Sequence, residues 1–257
     1  MKEKIKATVV NTSIENDIKK DFENIKNTII KCKESHIIVF SETCLAGFEN
    51  ESQHNEILEE LSGISKENNI IIVIGMDETI AGTKYNSAYL FEDGKYNVYN
   101  KVHLVYDEID EYEAGDYFPV FQTKLGKIGL MICYDIIFPE TARCLRLNGT
   151  EIICLLSQWE KLEESYWDIV TRVRAKENWV YLLASDDTNK GCGKSCIIDP
   201  HGQVIASTEK NKVFQTITKT LDGSLLDKLN TSEKFSNWTK LRQPKKYRII
   251  GIDENEE

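Results

Sequence analysis

Apolar residues recur at spacings of three and four through Ile14, Ile18, Phe22, Ile25, Ile29 and Cys32, which predicts an amphipathic helix after Ser13 with Ser13 as its N-cap. The pattern then closes up into the unbroken run Ile37 to Phe40, a short buried strand. A second helix, with Ile57, Leu61 and Ile64 on one face, precedes a strand over Ile70 to Ile74. From Tyr85 to Cys133 short strands are joined by turns at Asp93-Gly94 and Leu125-Gly126, which predicts hairpins and antiparallel pairing. Pro139-Glu140 opens a helix that Asn148-Gly149 closes, and Ile152 to Leu156 is another buried strand. Trp167, Val170 and Arg174 mark a helix running to Asn178, followed by a strand over Trp179 to Ala184. Asp199-Pro-His-Gly202 then turns between strands Ser195 to Ile198 and Gln203 to Ala206. Mixed strands with helices before and after need sheets covered by helices, and so many strands imply two sheets packed together in an α+β fold.

The chain has 257 residues, enough to bury a substantial core, and no proline-rich or Gly/Ser-rich linker divides it, so one domain over 1–257 is expected. With 41% hydrophobic and 29% charged residues it reads as an ordinary soluble protein. No apolar run approaches the roughly 18 residues that suggest a membrane span, and no membrane partner is expected. The basic start Met1 to Lys6 enters a short Ala7 to Val10 strand, too brief for a signal peptide. A net charge of −10 argues against a nucleic-acid partner. The basic run Lys240 to Arg248 is a local exception, read as a solvated or interface-forming tail. Seven cysteines, an odd number, point to thiols in a reducing cytoplasm rather than to a disulfide framework.

The chemistry concentrates at strand ends. In Lys127 to Glu140, K-I-G-L-M-I-C-Y-D-I-I-F-P-E, a buried strand delivers Cys133 into the turn before a helix. A thiol there can be exposed at a sheet edge beside unpaired backbone N–H groups. By itself such a cysteine is more often a small core residue. Two other strands change the balance: His36 to Phe48 carries Glu42 just past an apolar run, and Tyr96 to Leu104 carries Lys101 beside His103. Cys192-x-x-x-Cys196 with His201 lacks the second close-spaced pair of a structural zinc site, so no metal is expected. No phosphate-binding glycine loop occurs, and no cofactor is expected.

Three strands ending in Glu, Lys and Cys, in that order, resemble the nitrilase, or carbon–nitrogen hydrolase, superfamily and its amidase-like, omega-amidase-type branch. The likeness extends to Tyr85 to Phe91 with Asp93-Gly94, to Glu108 through Asp116, to Arg174-Ala-Lys-Glu-Asn178 and to Gly193 through Gly202. Ser41 and Asp186 depart from it, standing where the family usually has proline and often asparagine. The resemblance implies a four-layer αββα sandwich that pairs into a homodimer or higher homo-oligomer, with a C-terminal tail over about 235–257 at the interface.

It also implies a triad of Cys133 as nucleophile, Glu42 as base and Lys101, with the Tyr134 backbone N–H, as oxyanion donor. Glu108 is the candidate fourth polar member, orienting the lysine and substrate. An ordinary glutamate, with a pKa near about 4.3, is a poor acid at neutral pH, so Glu42 must be buried to serve both ways. Trp159 is a candidate for the pocket wall, Trp167 for the core, and His103 for bracing the Lys101 loop. The expected reaction is hydrolysis of a small carboxamide to an acid and ammonia through a thioester on Cys133. The same triad would serve a nitrilase or an N-carbamoyl amidohydrolase, and a silent scaffold or binding protein could keep the fold without turnover.

Overall fold

In the computed structural model, residues 1–210, 212–231 and 241–247 are described. The apolar runs are buried on both faces, and the period of two along a strand sorts their residues between two cores. In β1 (Lys4–Asn11), Ile5, Ala7 and Val9 face one way and Val10 the other. In β2 (Ile37–Val39), Ile37 and Val39 join the first set and Ile38 the second. In β3 (Ile71–Ile80), Ile71 and Val73 alternate likewise with Ile72 and Ile74. β4 (Thr83–Glu92) and β5 (Lys95–Asn100) follow as antiparallel hairpin partners, and β12 (Gln215–Asp222) returns beside β1. The first sheet is thus ordered β12-β1-β2-β3-β4-β5.

The second sheet is built the same way, in the order β11-β10-β9-β8-β7-β6. Its parallel centre is β7 (Gly126–Ile132), β8 (Ile152–Leu156) and β9 (Tyr181–Ser185). Antiparallel β6 (Val120–Thr123) flanks one side, and β10 (Cys196–Ile198) and β11 (Val204–Ser207) flank the other. Ile128, Leu130 and Ile132 of β7 pack with Ile152, Cys154 and Leu156 of β8 against the first sheet's inner face, so the main core lies between the sheets. α1 (Ile18–Lys31) and α2 (Glu51–Asn68) cover the outer face of the first sheet through Ile25, Ile29 and Leu61. α3 (Pro139–Leu147) and α4 (Glu164–Asn178) cover the second through Leu145, Trp167 and Val170. A further helix, α5 (Gly223–Thr231), follows β12. The layers run α-β-β-α, as expected.

Two local readings are corrected. α1 starts at Ile18 with Asp17, not Ser13, as its N-cap, and the Asp17 carboxylate accepts the Lys20 N–H at 3.3 Å. Ile14 is buried but not helical: its N–H and the Thr12 hydroxyl both donate to Asp187, each at 3.0 Å, which holds this segment against the far sheet. The strand expected from Trp179 starts at Tyr181, because Trp179, at φ 51°, caps α4 in the left-handed region. Of the tail over about 235–257, only 241–247 falls within the described residues, where Leu241 and Tyr247 line a hollow beside Arg143 of α3.

Candidate active site

The parallel strands of both sheets end on the same side, and the candidate residues lie at or just beyond those ends, where ligands of α/β sheets collect. Cys133 directly follows β7 and has φ 40°, a left-handed conformation uncommon for a residue with a Cβ. The turn is held by Asp135, fully buried, whose Oδ2 accepts the Ile132 N–H at 2.9 Å and the Tyr99 hydroxyl at 2.7 Å. Its Oδ1 accepts the His103 N–H at 3.1 Å and faces His103 Nδ1 at 2.9 Å. His103 also stacks on Phe138 with ring centroids 3.8 Å apart, so it braces the loop after Lys101 as the sequence suggested.

Lys101, 1% exposed, lies between two carboxylates. Its Nζ donates to Glu42 Oε1 and to both Glu108 oxygens, each at 2.8 Å. Burial by itself would lower the lysine pKa, but attraction to Glu42, to Cys133 when it is ionised and to Glu108 prevails and raises it. Asn86 on β4 completes the ring, donating from Nδ2 to Glu42 Oε1 at 2.9 Å and to Glu108 Oε1 at 3.0 Å. The other Glu42 oxygen, Oε2, accepts the Gln158 backbone N–H at 2.9 Å. Glu42 is 4% exposed, and each of these partners is a donor, so both of its oxygens are engaged as acceptors at the cavity wall.

The segment carrying Glu42 is packed tightly from below. Gly75 of β3 passes so close that an added Cβ would sit 2.5 Å from Thr43 N and 2.7 Å from Glu42 Cα. The Gly75 N–H donates to Ser41 O at 3.1 Å, and the Ser41 hydroxyl pairs with that of Thr12. Ser41 thus replaces the expected proline with a side-chain tie to β1's end.

Burial pushes the Cys133 thiol pKa strongly up, and Glu42 adds to the rise; Lys101, the Ser157 hydroxyl and the Gln158 N–H oppose it. The resting group is therefore a thiol with a buried carboxylate and ammonium in electrostatic reach. These side chains open onto a cavity of about 560 Å³. Its walls include Tyr134, Trp159, Tyr112 and Tyr166, and Glu160, Glu163 and Lys190 also line it. A second cavity of about 570 Å³, between the start of α2 and the β3–β4 hairpin, holds none of the triad residues.

All six candidates from the sequence, Glu42, Lys101, Glu108, Cys133, Tyr134 and Trp159, line this one cavity. Trp159 is nevertheless almost wholly buried, its Nε1 donating to Glu163 O at 2.9 Å, and Trp167 lies in the core behind it. Sequence reasoning missed Asn86, Gln158 and Asp135, and named Asp186 only as a departure from the family pattern. Asn86 sat inside a quoted motif, but only the pairing of β4 with β5, Ser87 opposite Asn100, shows that it reaches Lys101. Among the described residues no group of side chains could hold a metal ion, and no helix is long and apolar enough to cross a membrane.

The family described as Carbon-nitrogen hydrolase matches residues 6–230, and the protein belongs to that family of enzymes. It is 32% identical over 219 residues to a protein of Schizosaccharomyces pombe named "Probable nitrilase", covering 76% of this chain and 80% of that one. It is 31% identical over 183 residues to the omega-amidase of Mus musculus, covering 63% and 66%. Its fold matches an amidase of Nesterenkonia sp. AN1, solved with the acetamide moiety of fluoroacetamide covalently added at the active site cysteine. There the TM-score is 0.76 at 19% identity, over 91% of this chain and 96% of that one.

Proposed function

We propose that the protein is a thiol amidase that hydrolyses a small carboxamide to a carboxylic acid and ammonia. The observation that carries this is the meeting of Cys133, Lys101 and Glu42 on one cavity wall, with the lysine ammonium 2.8 Å from the glutamate. Glu42 takes the thiol proton as Cys133 sulfur attacks the amide carbon. The developing oxyanion is met by Lys101 and the Tyr134 N–H, each such donor contributing about 100- to 1,000-fold in rate. Glu42 passes its proton to the nitrogen, the C–N bond breaks, and ammonia leaves a thioester. Water then gives a proton to Glu42 and hydroxide to the thioester, the C–S bond breaks, and Glu42 returns the proton to the thiolate. Glu108 and Asn86 hold the lysine and the base in place.

Amide and nitrile substrates share this machinery, and names of both kinds occur among the relatives, so the test must separate them. Ammonia release is measured over carboxamides, nitriles and N-carbamoyl amines for the native chain and Cys133→Ala, with intact-mass detection of the acyl adduct. Ammonia from carboxamides, dependent on Cys133 and accompanied by an adduct, is the expected result. Turnover of nitriles alone would reassign the substrate class. No turnover and no fast-reacting thiol would leave the fold as a scaffold.

We further propose that two copies pair through α3, α4 and the tail, and that the enzyme works in the cytoplasm, where its seven thiols stay reduced. On α4, Ile169 and Val173 stand one turn apart and are 59% and 41% exposed, an apolar strip suited to a second copy. Sedimentation of the native chain should give a dimer, and Ile169→Glu with Val173→Glu should give a monomer.

A further inference from the structure

Three successive backbone N–H groups beyond β8 are held by three separate acceptors. Ser157 N–H donates to Ser185 O at 2.9 Å, Gln158 N–H to Glu42 Oε2 at 2.9 Å, and Trp159 N–H to Asp186 Oδ1 at 2.9 Å. The segment's Ser157 hydroxyl and Gln158 N–H also act on Cys133, opposing the rise of its thiol pKa. One end of this strap therefore supports base and nucleophile, and the other hangs on a carboxylate that is itself fully buried and has no cationic partner among the described residues. Asp186 Oδ2 accepts the Gly193 N–H at 2.8 Å, the Lys194 N–H at 3.4 Å and the Cys192 thiol at 3.1 Å. Gly191 lies so near that a Cβ there would be 2.4 Å from Oδ1, so the loop is wrapped around this carboxyl.

We propose that Asp186 is a positioning residue for the reaction assigned above: as a carboxylate it fixes the Ser157–Trp159 strap, and through it the placing of Glu42 and Cys133. The inference rests on the thiol-hydrolase reading of the site. Each side-chain contact of Asp186 just named is a donor, so the ionised form satisfies all of them at once. A proton on either oxygen disrupts that set, and of these groups only the Cys192 sulfur has a lone pair to receive it. Burial raises the Asp186 pKa to about 6 against the lowering by its hydrogen bonds, which brings the change within reach of solution pH. The titratable and charged groups around it are the Cys192 thiol, neighbouring Asp187, and Lys194 with its partners Glu164 and Asp168. Glu42 lies beyond Gln158.

Asp186→Asn is isosteric with the protonated acid and cannot titrate. The test measures kcat and KM for a carboxamide substrate, and the rate of Cys133 alkylation by iodoacetamide, between about pH 4 and about pH 9. The native enzyme should lose kcat as pH falls through about 6. Asp186→Asn should be slower at neutral pH by about 10- to 100-fold in kcat with little change in KM, and should lack that acid limb. Cys192→Ala removes one donor from the carboxylate and should shift the limb to higher pH, which keeps the test decisive should the asparagine variant not fold. An acid limb unchanged by either substitution, or undiminished kcat in Asp186→Asn, overturns the proposal. If no amide is turned over, the amidase reading fails, and the alkylation profile decides the role of Asp186 by the same criteria.

Discussion

Lys101 is buried between two carboxylates, Glu42 and Glu108, and its removal separates packing from pairing. Lys101→Met keeps most of the side-chain volume but leaves Glu42 and Glu108 facing each other with only Asn86 between them. Breaking a buried pair by deleting one partner costs about 3–5 kcal/mol. Chemical denaturation should show a loss of that order, with hydrolysis reduced at least about 100-fold. Asp186 makes the opposite bargain. Its pKa is about 6 folded against 3.8 as a free side chain, so between those values the folded state binds more protons than the unfolded. Stability contributed at this site is therefore largest in acid and falls as pH rises through the window, by about 3 kcal/mol in all. Unfolding of native protein and Asp186→Asn followed side by side should show that slope in the first and not in the second. Retaining an ionised, buried aspartate at neutral pH is thus a stability cost, which the positioning role proposed above would offset.

Among the elements, the short connections after β2 and β7 decide the geometry. Cys133 is presented by a turn at φ 40° tied down by Asp135, and Glu42 by a segment lying on Gly75. Gly75→Ala must push Ser41 to Thr43 away from β3, so kcat should fall about 10-fold or more while the chain still folds. Circular dichroism beside the kinetics checks that separation. The strands were legible in the sequence because their apolar runs are short and bounded by glycine, proline or polar breaks. The start of α1 was not: Ile14 fits the helical spacing because its side chain is buried with Ile18 and Phe22, but its N–H is held by Asp187 beyond β9, a contact made across some 170 residues of sequence. Glu42, Lys101 and Cys133 were legible as strand-end residues, singled out by the family resemblance, and the fold brings them to one cavity. Asn86, Asp135 and Gln158 were not, since each acts through a partner distant in the chain and none breaks a local pattern; Asp186 stood out as a departure from the family, but the strap it holds was not visible in the sequence.

At the level of the whole molecule, the two sheets repeat one plan, a parallel three-stranded centre crossed by two helices with antiparallel strands at its sides. Their inner faces form one apolar layer running from Ile5 to Leu226 in sequence. Glu42 and Lys101 come from the first sheet and Cys133 from the second. Neither half holds all three of the residues proposed to react, so chemistry at the thiol is a coincidence signal that appears only when both halves have docked. A chain nicked between β5 and β6 should regain Cys133 reactivity at the rate at which its fragments find each other, and a collapsed intermediate with formed but unmated sheets should remain inert.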